Sequence, residues 1–180
     1  VGAYTLDANT TGATNVVVGY NAMTANTTGS SNVAIGNSAM AANTTANNNI
    51  AIGSTALDAN TTGGGSGANI AIGVNGLGAV TTGSNNLGIG QEGGSAITTG
   101  VSNVAIGNWS LDATTTGTWN IALGQNALTA NTTASNNVAI GGGTLAVNTT
   151  GSQNVAVGNS SLDANTTGAN NVAVGQNALS

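Results

Sequence analysis

The chain has 180 residues without a single Lys, Arg, His, Cys, Pro or Phe, and its five acidic side chains set the net charge at −5. With no cation to neutralise phosphates, binding to nucleic acid or to an anionic membrane surface has no physical basis, and without thiols there is neither a disulfide framework nor a thiolate metal site. No apolar run approaches the roughly 20 residues of a membrane-spanning helix, and no basic segment marks a signal peptide.

A 17-residue unit, N-[VIL]-[AGV]-[VIL]-G-x-x-A-L-x-A-N-T-T-G-x-N, accounts for the whole chain. A partial unit covers 1–14, full units fill 15–170 from starts at Asn15, Asn32, Asn49, Asn69, Asn86, Asn103, Asn120, Asn137 and Asn154, and a partial unit covers 171–180. The unit starting at Asn49 carries three extra residues within 63–68, expected as a longer turn or bulge. Residues 1–180 therefore read as one array, a window of a longer one without capping units.

Within the unit, Asn at position one is expected to form a side-chain amide ladder between rungs. Positions two to four, as in Val33-Ala34-Ile35, alternate with the period of a strand, and their aliphatic residues are expected to make the core together with the Leu of position nine. Gly recurs at position five in all eleven copies, from Gly2 to Gly175, and predicts a corner that needs positive φ or close backbone approach. Positions eight to eleven, such as Ala56-Leu57-Asp58-Ala59, are expected as a second short strand. Asn-Thr-Thr-Gly then supplies turn chemistry.

One such rung has too little apolar bulk to offset the cost of ordering its backbone, so rungs must stack. The expected fold is all-β, a repetitive parallel β-solenoid (β-roll) rising about 4.8 Å per rung to a rod of about 50 Å. The same shortage of bulk predicts that several chains share a core. Asp7, Asp58, Asp112 and Asp163 all occupy position ten, in every third unit. Stacked three rungs apart they stand about 14 Å from one another, beyond a Debye length of about 8 Å. Duplication of a three-unit block, which also places Asn21, Asn75, Asn126 and Asn177 at position seven, explains the rhythm equally well.

Catalysis lacks candidates: there is no His, Cys or Lys, and the carboxylates are never paired within a unit. The chain is accordingly expected to be no enzyme, with no cofactor and no metal site. Asn-Thr-Thr at Asn9, Asn26, Asn43, Asn60, Asn131, Asn148 and Asn165 reads as a turn with a Thr ladder, and also as a glycosylation sequon, with further matches at Asn108 and Asn159. The Thr pairs suggest ice binding, but adjacent strand residues point to opposite faces, whereas a flat hydroxyl face needs Thr-x-Thr. Trp109 and Trp119 share one unit and are candidates for a surface-binding patch that stacks on sugars, or for plain packing on the rod's side.

The strand and corner Asn32-Val33-Ala34-Ile35-Gly36 and its copies resemble the heads of trimeric autotransporter adhesins. The longer phrase through Asn126-Ala127-Leu128 and Asn131-Thr132-Thr133 is similar to repeats of bacteriophage tail fibres and related cell-surface proteins. The resemblance covers the chain and implies a left-handed parallel β-roll with three chains around one axis, extracellular on a cell or virion surface. The expected function is a rigid shaft or adhesive head of a homotrimeric fibre, whose partner is itself. A module binding surface glycans and a curli-like filament of single chains stacked end to end are the alternatives. A glycosylated surface filament is a further one.

Overall fold

The computed structural model describes residues 1–61 and 68–180, so the insertion expected within 63–68 lies outside the described residues but for Ala68. The chain winds as a solenoid. Its strands are β1 (Val16–Val18), β2 (Val33–Ile35), β3 (Ile50–Ile52), β4 (Ile70–Ile72), β5 (Leu87–Ile89), β6 (Val104–Ile106), β7 (Ile121–Leu123), β8 (Val138–Ile140), β9 (Val155–Val157) and β10 (Val172–Val174). All ten form one parallel sheet in chain order, and no helix occurs among the described residues. Register is one-to-one: Val33 faces Ile50, Ala34 faces Ala51 and Ile35 faces Ile52. It is recovered across the insertion, where Ile50 pairs with Ile70.

Most backbone amides bond along the rod axis, while those of positions eight and twelve close turns within their own rung, as Asn43 donating to Met40 O at 3.0 Å. The Val33 N–H donates to Asn49 O at 2.9 Å in the next rung, while the Gly36 N–H donates to Val18 O at 2.8 Å in the preceding one. Thr27 continues the pattern outside the sheet, donating to Thr44 O at 2.9 Å. A rung thus satisfies its polar backbone only when it has a neighbour on each side.

The orientation of the strands reverses the expectation for the core. Position three points inward: Ala34, Ala51, Ala71, Ala105, Ala122, Ala139 and Ala156 have no accessible surface. The aliphatic residues of positions two and four point outward, and none of those in β1 to β10 is buried. The physical reason is room. Where Ala is replaced by Gly88, an added Cβ would stand 2.8 Å from Leu77 Cγ, so the far wall of the rung is one methyl away from position three. Larger side chains fit poorly: Val17, the one β-branched residue at position three, stands in the end strand and is only partly buried against the core, and alternation carries the aliphatic neighbours to the outside.

The stretch expected as a second strand is a turn instead. Positions seven and nine take left-handed φ, as at Asn21 (56°), Met23 (46°), Asn126 (57°) and Leu128 (53°). Asn tolerates this conformation, but Leu loses about 1–2 kcal/mol in it. Leu57, Leu77, Leu111, Leu128 and Leu145 are fully buried in return, which is worth about 1.5–3 kcal/mol each, so burial outweighs backbone strain.

The corner glycines of position five satisfy both expectations at once. Gly107 has φ +130°, a region essentially closed to other residues, and a Cβ there would lie 2.6 Å from the carbonyl of Gly124 in the next rung. Gly142, one position further along its own rung, has only the Asn159 side-chain amide at 3.1 Å from such a Cβ. Gly107→Ala is expected to cost at least about 2 kcal/mol, and Gly142→Ala to leave the melting temperature within about 2 °C, both read by thermal circular dichroism at 218 nm.

Candidate functional surface

The outward residues of β1 to β10 build one continuous apolar stripe, two side chains wide and ten strands long. Ile35 and Ile52 are each 37% exposed, and no polar residue interrupts either file. Polar ranks border it. On one side stand exposed residues of position seventeen, among them Asn48, Asn85, Asn136 and Gln153, and on the other those of position six, among them Asn37, Gln91, Asn108 and Gln125. At about 4.8 Å per strand, the aliphatic stripe covers about 500 Å² in plan, and about 900 Å² with both ranks included. Sequence reasoning missed this face. The signal was present in position three, which is small in almost every unit and so marks the tight side of the strand.

The carboxylates lie elsewhere. Position nine meets position three across the interior, as Leu77 does at Gly88, so position ten emerges away from the stripe. The Asp112 carboxylate accepts a hydrogen bond from Thr129 Oγ1 at 2.6 Å in the next rung. Burial pushes the Asp58 carboxyl up from its ordinary range, more than hydrogen bonds from the amides of Asp58 and Ala59 pull it down. Among the described residues no three His, Cys, Asp or Glu side chains gather, and no cavity opens.

Two amide ladders run inside the rod. At position one, Asn120 Nδ2 donates to Ala134 O at 2.9 Å across its own rung, and its backbone N–H donates to Asn103 Oδ1 at 3.1 Å. The Asn137 N–H in turn donates to Asn120 Oδ1 at 3.1 Å, so each amide ties its rung shut and bonds to the next. This is the register ladder expected for that position. The Asn of Asn-Thr-Thr forms a second, interrupted one, linked from Asn43 through Asn26 to Asn9 and from Asn165 to Asn148, while Asn43 Oδ1, Asn131 Oδ1 and both polar atoms of the Asn60 side chain are buried without a hydrogen-bond partner among the described residues. Asn26, Asn43, Asn60, Asn131 and Asn148 are fully buried, and Asn43 Nδ2 donates to Asn26 Oδ1 at 2.8 Å. Asn9 and Asn165 at the ends are half-buried. A glycan on the five buried nitrogens would have to pass through the wall of the rod, so burial favours the structural reading at those five. Asn108 and Asn159, at position six, are exposed.

The two Thr of each pair have different surroundings. The first is tied to the next rung, as Thr27 Oγ1 donating to Thr44 O at 3.1 Å and Thr98 Oγ1 to Thr115 O at 3.1 Å. The second is exposed in every described rung, from Thr11 to Thr167. Trp109 and Trp119 do not form a patch. Trp109 follows β6 and Trp119, 61% exposed, precedes β7, so they stand on opposite flanks of the stripe. Among the described residues the ring pair is Tyr4 with Tyr20, edge to face at 5.7 Å.

Comparison with protein families, curated proteins and solved structures finds no match.

Three outcomes follow from these polar groups. Asn120→Ala leaves the N–H of Asn137 without a partner and takes from the carbonyl of Ala134 one of its two donors, Asn131 Nδ2 at 3.2 Å being the other, and is expected to cost about 1–3 kcal/mol by denaturant unfolding. Asn120→Asp is expected to cost more at pH 7, because its carboxylate meets Ala134 O and Asn103 Oδ1 without a proton to donate, and to recover in acid. For Asp58, the folded chain holds its proton more tightly than the unfolded one, so its contribution to stability is full below the ordinary carboxylate range and is lost as pH rises through the raised value. Asp58→Asn is expected to raise the melting temperature at pH 7 and leave it unchanged near pH 3.

Proposed function

We propose that the chain is a non-catalytic segment of a stiff extracellular fibre, in which copies pack side by side through the aliphatic face of β1 to β10. The single observation that carries this reading is that stripe. Monomeric proteins rarely leave so long an apolar strip in water, and polar borders around one are a mark of an interface. Its area of about 900 Å² with the flanking ranks is close to the roughly 800 Å² per partner of a stable complex. The occupant is a second copy of the same rod, because a straight file of identical rungs is matched in length and spacing by another such file. Charge agrees: four of the five carboxylates sit at position ten, away from the stripe, and the faces that meet carry no charged residue within β1 to β10. Three copies around one axis is the arrangement that the adhesin and tail-fibre resemblance implies.

Axial hydrogen bonding supports the mechanical part. Bending or extending the rod strains backbone bonds and both amide ladders together, and a chain with no Lys or Arg offers trypsin no site. A second reading, recognition of a regular surface such as a glycan layer, is favoured by the exposed Thr file. That position keeps Thr in every rung while exposed positions six and seventeen vary freely.

The test replaces Ile35, Ile52 and Ile72 by Asn together, which alters the stripe and leaves the interior intact. The unaltered chain is expected at about 51 kDa by light scattering, three times 17.0 kDa, and the triple variant at 17.0 kDa with its β spectrum kept. An unaltered chain that stays at 17.0 kDa at micromolar concentration defeats the proposed packing. Glycan-array binding abolished by Thr99→Val with Thr116→Val would establish the second reading.

A further inference from the structure

We infer that the rung Asn86–Ser102 is a yielding joint, dividing the rod into two blocks that open independently. Three interior positions lose their side chains together in this rung. Gly88 replaces the Ala of position three, Gly93 stands at position eight, and Gly94 takes position nine, which is Leu or Met in every other unit. Ile97, at position twelve in place of Asn, fills part of the vacated space. A Cβ on Gly94 would lie 3.0 Å from Ile97 Cδ1 and 2.9 Å from Leu77 Cδ2.

The repair serves one side only. Ile97 packs into a buried cluster that runs back to Met23, while the next cluster starts at Ala105 and runs to Ala173. The apolar core therefore has a break at this rung. The second amide ladder breaks at the same height. Its bonded stretches are Asn165 to Asn148 on one side and Asn43 through Asn26 to Asn9 on the other; between them Asn131 Nδ2 donates to Thr114 Oγ1 at 3.0 Å, and Ile97 and Val80 bring no amide to the position.

The sheet side is continuous through the rung. β4, β5 and β6 pair in register, and the Asn103 N–H donates to Asn86 Oδ1 at 3.0 Å. On the turn side the rung is joined to its neighbours by backbone bonds, Leu77 N–H to Gly93 O at 3.1 Å and Gly94 N–H to Ser110 O at 2.8 Å, and by Ile97, but it lacks the Ala and Leu side chains that pack this side elsewhere, so the sheet is the spine of the joint and the turn opposite is its opening edge. Glu92, the one charged residue at position seven, sits on that edge with φ +57°.

Hydrogen exchange on the native protein tests the joint without altering it. The amides of Gly93 and Gly94 are expected to exchange at least tenfold faster than those of Ala56 and Leu57, although the Gly94 N–H bond to Ser110 O is 2.8 Å and the Leu57 bond to Gly76 O is 3.1 Å. Gly94→Leu combined with Ile97→Asn restores the repeat at both positions and is expected to erase the difference. Because the φ of Gly94, +65°, is close to that of the leucines of position nine, the backbone accepts the change. Protection at 86–102 equal to that of its neighbours overturns the inference, as does a double variant that folds and keeps the fast exchange.

Discussion

Everything in this molecule is organised by the narrowness of its interior. Seventeen residues bent into a closed rung leave space for one Leu or Met, a few methyl groups and two amides, and nothing larger enters. The width admits Ala at position three, which dictates that Val and Ile go outward. It also brings position nine close enough to touch position three, which draws Leu into a left-handed backbone it would otherwise avoid. A larger rung could have kept its aliphatic residues inside and would have needed no partner for them.

So narrow a core also explains why amides appear where most proteins bury hydrocarbon. A single Leu per rung stabilises too little, and the remaining interior volume is occupied by Asn side chains whose donors and acceptors are almost all matched to carbonyls and to one another. A position-one amide such as Asn120 closes its own rung with its Nδ2 and bonds to the next rung with its Oδ1, so closure of the rung and stacking are stabilised together. Cohesion of this kind belongs to the array: a rung gains its two ladders, its strand pairs and its Thr bonds only from neighbours, which is the nearest-neighbour stability of repeat proteins. It also punishes register errors, since a slip by one residue would turn every Asn of position one out of the rod and every Val or Ile into it.

The period, the parallel stacking, the glycine corner and the position-one ladder were legible in the sequence, because each rests on a residue type whose backbone or hydrogen-bonding habit is specific. Gly at position five in every copy admits few explanations, and a repeated Asn before a strand admits few as well. The direction of the side chains was not legible in the same way. Alternation in Val33-Ala34-Ile35 says that two residues share a face, and leaves open which face is inside; hydrophobicity points one way and volume the other, and here volume wins. The turn at positions six to eleven escaped for a different reason. Ala-Leu-x-Ala carries no mark of left-handed φ, since Leu adopts it only when the closed rung supplies an interior to fall into. Asn-Thr-Thr misled through its chemistry: the same three residues make an acceptor site for a glycan and a buried amide followed by a tied hydroxyl, and only burial separates the two.

The contrast between the rung Asn86–Ser102 and its neighbours bears on how such arrays tolerate change. Outward positions six, ten, sixteen and seventeen vary widely from rung to rung because nothing packs on them within the chain, whereas positions one and five never change. Positions nine and twelve fall between: position twelve becomes Val80 and Thr114 beside an unchanged Leu, and where Leu is lost at Gly94, Ile97 stands at position twelve of the same rung, so that the total volume is partly kept. Compensation inside one rung preserves its closure, because both side chains enter the same space. It cannot preserve the file running along the axis, because a ladder is a property of successive rungs and the run Val80, Ile97, Thr114 interrupts it. A local substitution that is neutral for the rung is therefore costly for the stack, and the place where a solenoid yields is set by where its axial files are cut and not by where its rungs are weakest.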